Sequence, residues 1–290
     1  YLELLAGDYY AAGKTFEQAE GLVDDPALRR QLQIFQIVLR VSAWDKIDDD
    51  VEREVAQLLR QENLIRTFPD LERFLLDKLT YLYRLNDRPG KAFLSQYPLE
   101  ALRPNPREEL IEDLMVVVRK ENPTQIERRM IQQADGSTIG EELIDMQAVN
   151  LFHDYQLEAA LETLKQMDRI QWDRFGLFNP FAERINDCVH CPLPDTLKAF
   201  NRGELIEQLL DMEYQAKANA ENRDFLYYRL GVAFYNMSYF SYGWRAMDYY
   251  RSGASMRSGY LQDGDNITPH PTFPYGNREH FDCSMALYYF

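Results

Sequence analysis

Cysteine, histidine and positive charge are all scarce in this 290-residue chain. There are three Cys and four His, and 32 Lys and Arg stand against 47 Asp and Glu, a formal charge of −15. A pI near 4.8 excludes a nonspecific nucleic-acid binder, which neutralises phosphates with clustered basic side chains. With 14 Gly and 13 Pro, the chain is neither collagen-like nor low in complexity. No apolar run reaches the roughly 20 residues of a membrane helix; the uncharged aromatic stretch from Leu230 to Trp244 stops at 15. Missing too are a Gly-x-Ser-x-Gly elbow, a phosphate-binding Gly loop ending in Lys-Ser/Thr, and His-Glu-x-x-His. His153, His190, His270 and His280 leave little for general-base chemistry. His153 beside Asp154 reads as a polar residue at a helix edge. The expectation is a non-enzyme that needs no cofactor.

What is present is apolar and aromatic. Hydrophobic residues make up 46% of the chain, with 19 Tyr, 16 Phe and 3 Trp, which rules out intrinsic disorder. Helical spacing recurs in Leu110, Ile111, Leu114, Met115, Val117 and Val118, in Leu71 to Leu85, and in Leu205 to Met212. Asp25-Pro26, Asn105-Pro106 and Asn122-Pro123 each pair an N-cap side chain with a Pro at the first helical position, and Thr138 with Glu141 reads as a capping box. Sustained two-residue alternation is rare. The expected fold is all-α. Tyr1 is no start methionine, and Met285 to Phe290 is apolar without a cap or breaker. Both ends read as cut within helices, so that a leader or lipid anchor would lie outside this fragment.

A search for internal repeats follows from helices joined by short links. Gly7, Tyr9, Ala12, Phe16 and Ala19 follow the second-helix pattern of a tetratricopeptide repeat, where a Gly and an aromatic turn the chain and a small residue lets two helices approach. Tyr227, Leu230, Gly231 and Phe234 fit a first helix, with Phe240, Gly243, Met247 and Tyr250 on a second. Leu157, Ala160, Leu164 and Met167 form a weaker copy. The chain resembles tetratricopeptide proteins over roughly 60 residues by this spacing. It departs from them in having Gly243 instead of Ala and no closing Pro. The resemblance implies an α-solenoid of antiparallel helix pairs: repeats over 1–174, a Cys/Pro loop insertion over 175–195, and repeats over 196–290 carrying a second long loop at 251–277. Arg184 to Cys188 and Tyr235 to Phe240 are similar in texture to large repeat proteins of the Bacteroidota cell envelope, some of them lipoproteins related to type IX secretion and gliding. That likeness implies a periplasmic or outer-membrane-associated location and protein partners in a larger complex.

Cys188 and Cys191, two residues apart in a Pro-bounded loop, leave three readings open. They are a disulfide that staples the loop or ordinary free thiols, a redox pair, or half of a zinc site completed by His190 and Cys283. No βαβ context supports redox chemistry, and Pro192 follows Cys191 where a haem-attachment motif needs His. Asp48, Asp49 and Asp50 stand at an expected helix start, where they suit the helix dipole better than glycoside hydrolysis. Among the C-terminal aromatics, Tyr239, Tyr242, Trp244 and Tyr249 are the candidate partner surface. Two functions compete: a scaffold for protein partners, and a glycan-binding lipoprotein with an aromatic platform. An exposed Trp/Tyr platform would favour the second, a buried cluster the first.

Overall fold

A computed structural model describes residues 2–182, 198–218, 221–251 and 274–290. Cys188, His190 and Cys191, most of the 175–195 insertion, and nearly all of the 251–277 loop lie outside the described residues. Those described are all-helical, with no strand; a single antiparallel bridge joins Phe178 to Phe200. No described helix is long and apolar enough to cross a membrane.

The chain divides into two compact units, residues 1–97 with 119–132 and residues 98–118 with 133–290. The first unit holds α1 (Leu2–Leu5), α2 (Tyr9–Leu22), α3 (Pro26–Ser42), α4 (Asp49–Leu59), α5 (Glu62–Thr67), α6 (Pro69–Leu85), α7 (Pro89–Leu94) and α9 (Gln125–Ile131). Gly7 turns the chain between α1 and α2 at φ +77°, a conformation only glycine adopts freely. Ala12 is fully buried, and Phe16 of α2 stacks on Phe35 of α3 at 5.5 Å, while Tyr9 is exposed. The Asp25 carboxylate caps α3 by accepting from the Ala27 N–H ahead of Pro26, and Asp48 caps α4 by accepting from the Asp50 and Val51 N–H groups. Val41, Val55, Leu71, Leu75, Leu79, Tyr83, Ala92 and Ile126 form the core.

A buried polar network ties α4, α6, α7 and α9 of this unit. Lys91, 4% exposed, donates to Glu52 and to Glu127 Oε1 (2.8 Å). Tyr83 OH donates to Glu52 Oε1 (2.8 Å), and Lys120 Nζ to Glu127 Oε2 (2.9 Å). The capping box forms here instead of at Thr138. Glu127 N–H donates to Thr124 Oγ1, Thr124 N–H donates to the Glu127 carboxylate, and the Thr124 hydroxyl donates to Glu52. Thr124 thereby displaces Asn122-Pro123 as the helix start, and α10 begins at Gly140 with no side-chain cap.

The second unit holds α8 (Glu108–Val118), α10 (Gly140–His153), α11 (Leu157–Leu164), α12 (Arg202–Lys217), α13 (Arg223–Met237) and α14 (Ser284–Tyr289). From α10 to α14 each helix packs on the next. Leu143, Met146, Phe152, Ala160, Leu164, Leu205, Ile206, Leu209, Leu230 and Phe234 fill the seams. Gly203 is indispensable to one of them: a Cβ there would stand 2.2 Å from Trp172 Cε3, and Trp172 is buried with its indole N–H donating to the Leu164 carbonyl. Gly231 faces Phe290, 2.9 Å from an added Cβ. The close approach is therefore to the C-terminal helix.

The expected helix over 240–250 is absent. Its signature residues Phe240, Gly243, Met247 and Tyr250 fall in turns around a short 3-10 segment, Trp244–Ala246. Ser238 takes extended backbone and its hydroxyl donates to the Tyr235 carbonyl, ending α13. Asn236 then organises the turn, accepting from Ser241 Oγ on its side chain and from Gly243 N–H on its carbonyl. Local side-chain bonds of this kind compete with a helix. Met247 and Tyr250 are buried, Gly243 abuts the Asn236 carbonyl, and Phe240 is exposed.

Candidate functional site

The 238–250 turn settles the place of four expected surface aromatics. The Tyr242 hydroxyl lies 3.0 and 2.7 Å from the Asn179 and Ala182 carbonyls. Trp244 is only 5% exposed. The Tyr249 hydroxyl donates to Asp145 Oδ2 at 2.5 Å, and Asp145 is ion-paired with Arg202, both fully buried. Arg202 also donates to the Ala246 carbonyl, so this trio pins the turn to α10 and α12. The Asp145 charge keeps the arginine protonated against burial and, with burial, pushes the Tyr249 phenol up. These side chains hold the turn in place. Tyr239 is half-buried, its ring 4.4 Å from Phe281.

The outward aromatic surface lies elsewhere. On α13, Phe225, Tyr228 and Tyr235 are exposed on one face while Leu226, Leu230, Ala233, Phe234 and Met237 are buried. On α14, Tyr289 packs between Tyr227 (6.0 Å) and Phe234 (5.6 Å), and Leu287 and Tyr288 are 74% and 71% exposed. The spacing 225, 228, 235 is a face signal that the repeat pattern, built on Tyr227, Leu230 and Phe234, passes over.

A second cluster gathers residues far apart in sequence. The strap 277–282 crosses the end of α10. Arg278 N–H donates to the Pro104 carbonyl, and its guanidinium reaches Asn150 and Asp154. His280 is 2% exposed. Its N–H donates to Asp248 Oδ2 (2.8 Å), its carbonyl accepts from Tyr239 N–H (2.7 Å), and its Nε2 meets the Tyr155 hydroxyl at 2.9 Å. His153, the last residue of α10, sets its ring edge-on to His280 at 4.5 Å and its Nε2 at 3.6 Å from Asp248 Oδ1. His153 Nε2 and His280 Nδ1 are buried without a hydrogen-bond partner. Burial lowers both imidazoles, His153 to about 3 with help from Arg278 and His280. Burial also raises the Asp248 carboxyl to about 7. Sequence reading dispersed these residues because 95 and 127 positions separate Asp248 and His280 from His153.

Cys283 is a free thiol. Among the described residues, no three His, Cys, Asp or Glu side chains are arranged to hold a metal ion. A polar groove of about 460 Å³ on the first unit is lined by Arg40, Asp50, Arg53, Glu54, Gln57, Leu58 and Gln61. Its arginines are paired with Glu54 and Asp50, both at 2.6 Å. Compared with protein-family models, curated proteins and solved structures, the chain matches none.

Proposed function

We propose that this chain is a non-enzymatic scaffold, an α-solenoid of tetratricopeptide-like helix pairs that holds protein partners in a cell-envelope assembly. The observation carrying the reading is the aromatic face of α13 and α14. Phe225, Tyr228 and Tyr235 of α13 and Leu287 and Tyr288 of α14 are exposed on two helices that pack on each other. Exposed contiguous apolar surface rimmed by charge marks protein-interaction sites, and Tyr-rich patches supply their strongest contacts. Successive packing of α10 through α14 supports the solenoid. The envelope setting, with its link to secretion or gliding, rests on sequence resemblance alone. Tyr242 and Tyr249 spend their hydroxyls internally and Trp244 is covered, which favours the scaffold over the glycan reading.

Copurification of the intact protein followed by mass spectrometry tests this, run beside the variant Phe225→Ser/Tyr228→Ser/Tyr288→Ser. A partner retained by the native chain and lost by an equally helical variant is the expected result. Identical recovery by both proteins would remove the face from the argument. Binding to immobilised glycans would replace the scaffold reading.

A further inference from the structure

The strap belongs to no helix or strand, yet its neighbours hold it as a receptor holds a linear peptide, main chain first and a few side chains second. The Pro104 carbonyl accepts from the Arg278 N–H (2.8 Å), Asp248 Oδ2 accepts from the His280 N–H (2.8 Å), and the Tyr239 N–H donates to the His280 carbonyl (2.7 Å). Two side chains add identity. The Arg278 guanidinium reaches Asn150 and Asp154, and His280, 2% exposed, meets the Tyr155 hydroxyl. The Phe281 ring rests on Tyr239 and stays half-exposed. Tyr155 itself stands at φ +60°, uncommon for a residue other than glycine, and backbone strain of this kind gathers at binding sites. The fit is also incomplete. Asn277 Oδ1 and His280 Nδ1 of the strap, and His153 Nε2 against it, are buried with no hydrogen-bond partner. Native interiors leave few such atoms, and three meet at this one short segment. Unmet groups serve no purpose in a permanent brace, but they suit an occupant that has to leave, because each weakens its seat.

We propose that the strap is an internal stand-in for a partner's peptide. The bed formed by the loop before α8, the end of α10 and the 238–250 turn is then a receptor for a linear segment of another protein. That segment carries an arginine, a spacer, a histidine and an aromatic in the order of Arg278 to Phe281, and it binds by displacing the strap. Charge suits the arginine: the Asp154 side chain is 52% exposed, so an incoming guanidinium can reach it from solvent before the strap has left. This site is separate from the aromatic face of α13 and α14 and does not depend on it.

A fluorescein-labelled peptide with the sequence of residues 276–282, Gly-Asn-Arg-Glu-His-Phe-Asp, is the probe, and its anisotropy is the readout. The host is the full chain carrying Arg278→Ala and Phe281→Ala, changes confined to the strap. This host should bind the probe at least about tenfold more tightly than the native chain, where the tethered strap competes at an effective concentration near millimolar. A probe with its arginine changed to alanine should lose at least about tenfold in affinity for the same host. Equal affinity for the two hosts, or indifference to the arginine, overturns the proposal. Should the double variant not fold, the native chain decides. Excess probe should speed amide exchange at His280 about tenfold, because that N–H is released from Asp248 when the strap is displaced. Unchanged exchange overturns the proposal. A native dimer that the double variant loses would give the bed to a second copy and overturn the partner assignment.

Discussion

Replacing Gly203 by alanine should destabilise the second unit, although alanine is the better helix former. The added methyl would stand 2.2 Å from Trp172 Cε3, 2.3 Å from Cζ3 and 2.8 Å from Cδ2. Relief requires the ring to move by more than about 1 Å to reach ordinary carbon–carbon separation. The ring is 3% exposed, and its Nε1–H donates to the Leu164 carbonyl at 3.1 Å, so such a shift disturbs both packing and that bond. Overpacking costs about 1–3 kcal/mol and the strained hydrogen bond about 1 more, against about 0.5–1 regained from helix propensity. The net loss is about 1–3.5 kcal/mol, and at about 2–4 °C per kcal/mol the melting temperature falls by about 2–14 °C. Thermal unfolding followed by far-UV circular dichroism and tryptophan fluorescence measures it. Gly13→Ala is the control, since its added methyl meets nothing within 4 Å and should stabilise by about 0.5–1 kcal/mol. A Gly203→Ala protein that melts at or above the native temperature refutes the packing argument.

Lys91→Met should cost about 3–5 kcal/mol, because it leaves Glu52 and Glu127 buried side by side; chemical denaturation of the first unit would read this, and a change under 1 kcal/mol would contradict it. Glu127 is raised by burial but held down to about 2 overall by hydrogen bonds from Lys91 and Lys120, so its contribution is whole above 4.5 and disappears as pH falls toward 2. Acid titration of Glu127→Gln should accordingly lack a loss of about 2–3 kcal/mol that the native protein shows in that window. Tyr249→Phe should cost about 1–2 kcal/mol by removing one donor from Asp145, and should expose Trp244 to quenchers as the 238–250 turn loosens. Gly231→Ala should cost under about 1 kcal/mol, since the obstructing Phe290 ring is 66% exposed and free to turn aside; a loss above 2 would mean a rigid seam there.

Much of the helical fold is legible in residue order. Asp25-Pro26 and Asp48 cap helices where their chemistry requires, and the Leu71–Leu82 and Leu205–Met212 patterns bury the faces their spacing marks, while Leu85 at the end of α6 is exposed. Long-range polar bonds are what the order conceals. Thr124 outcompetes Asn122-Pro123 because Glu52, 72 residues away, accepts its hydroxyl. Phe240, Gly243, Met247 and Tyr250 carry helical spacing, yet Asn236 and Ser238 draw the backbone into turns and Arg202 receives the Ala246 carbonyl. The cluster at His280 is a meeting of three distant segments, and no local pattern announces it.

The excursion of residues 119–132 into the first unit bears on how the protein is made and divided. The chain leaves that unit after Tyr97, builds α8 elsewhere, and returns to deliver Thr124, Ile126 and Glu127. During synthesis Lys91 thus waits with Glu52 until Glu127, 36 residues further on, has emerged. Expression boundaries drawn after residue 97 remove one of the two carboxylates that neutralise this lysine, together with the Ile126 side chain. A recombinant first half should fold only when it extends past Gln132 and tolerates α8 as a passenger.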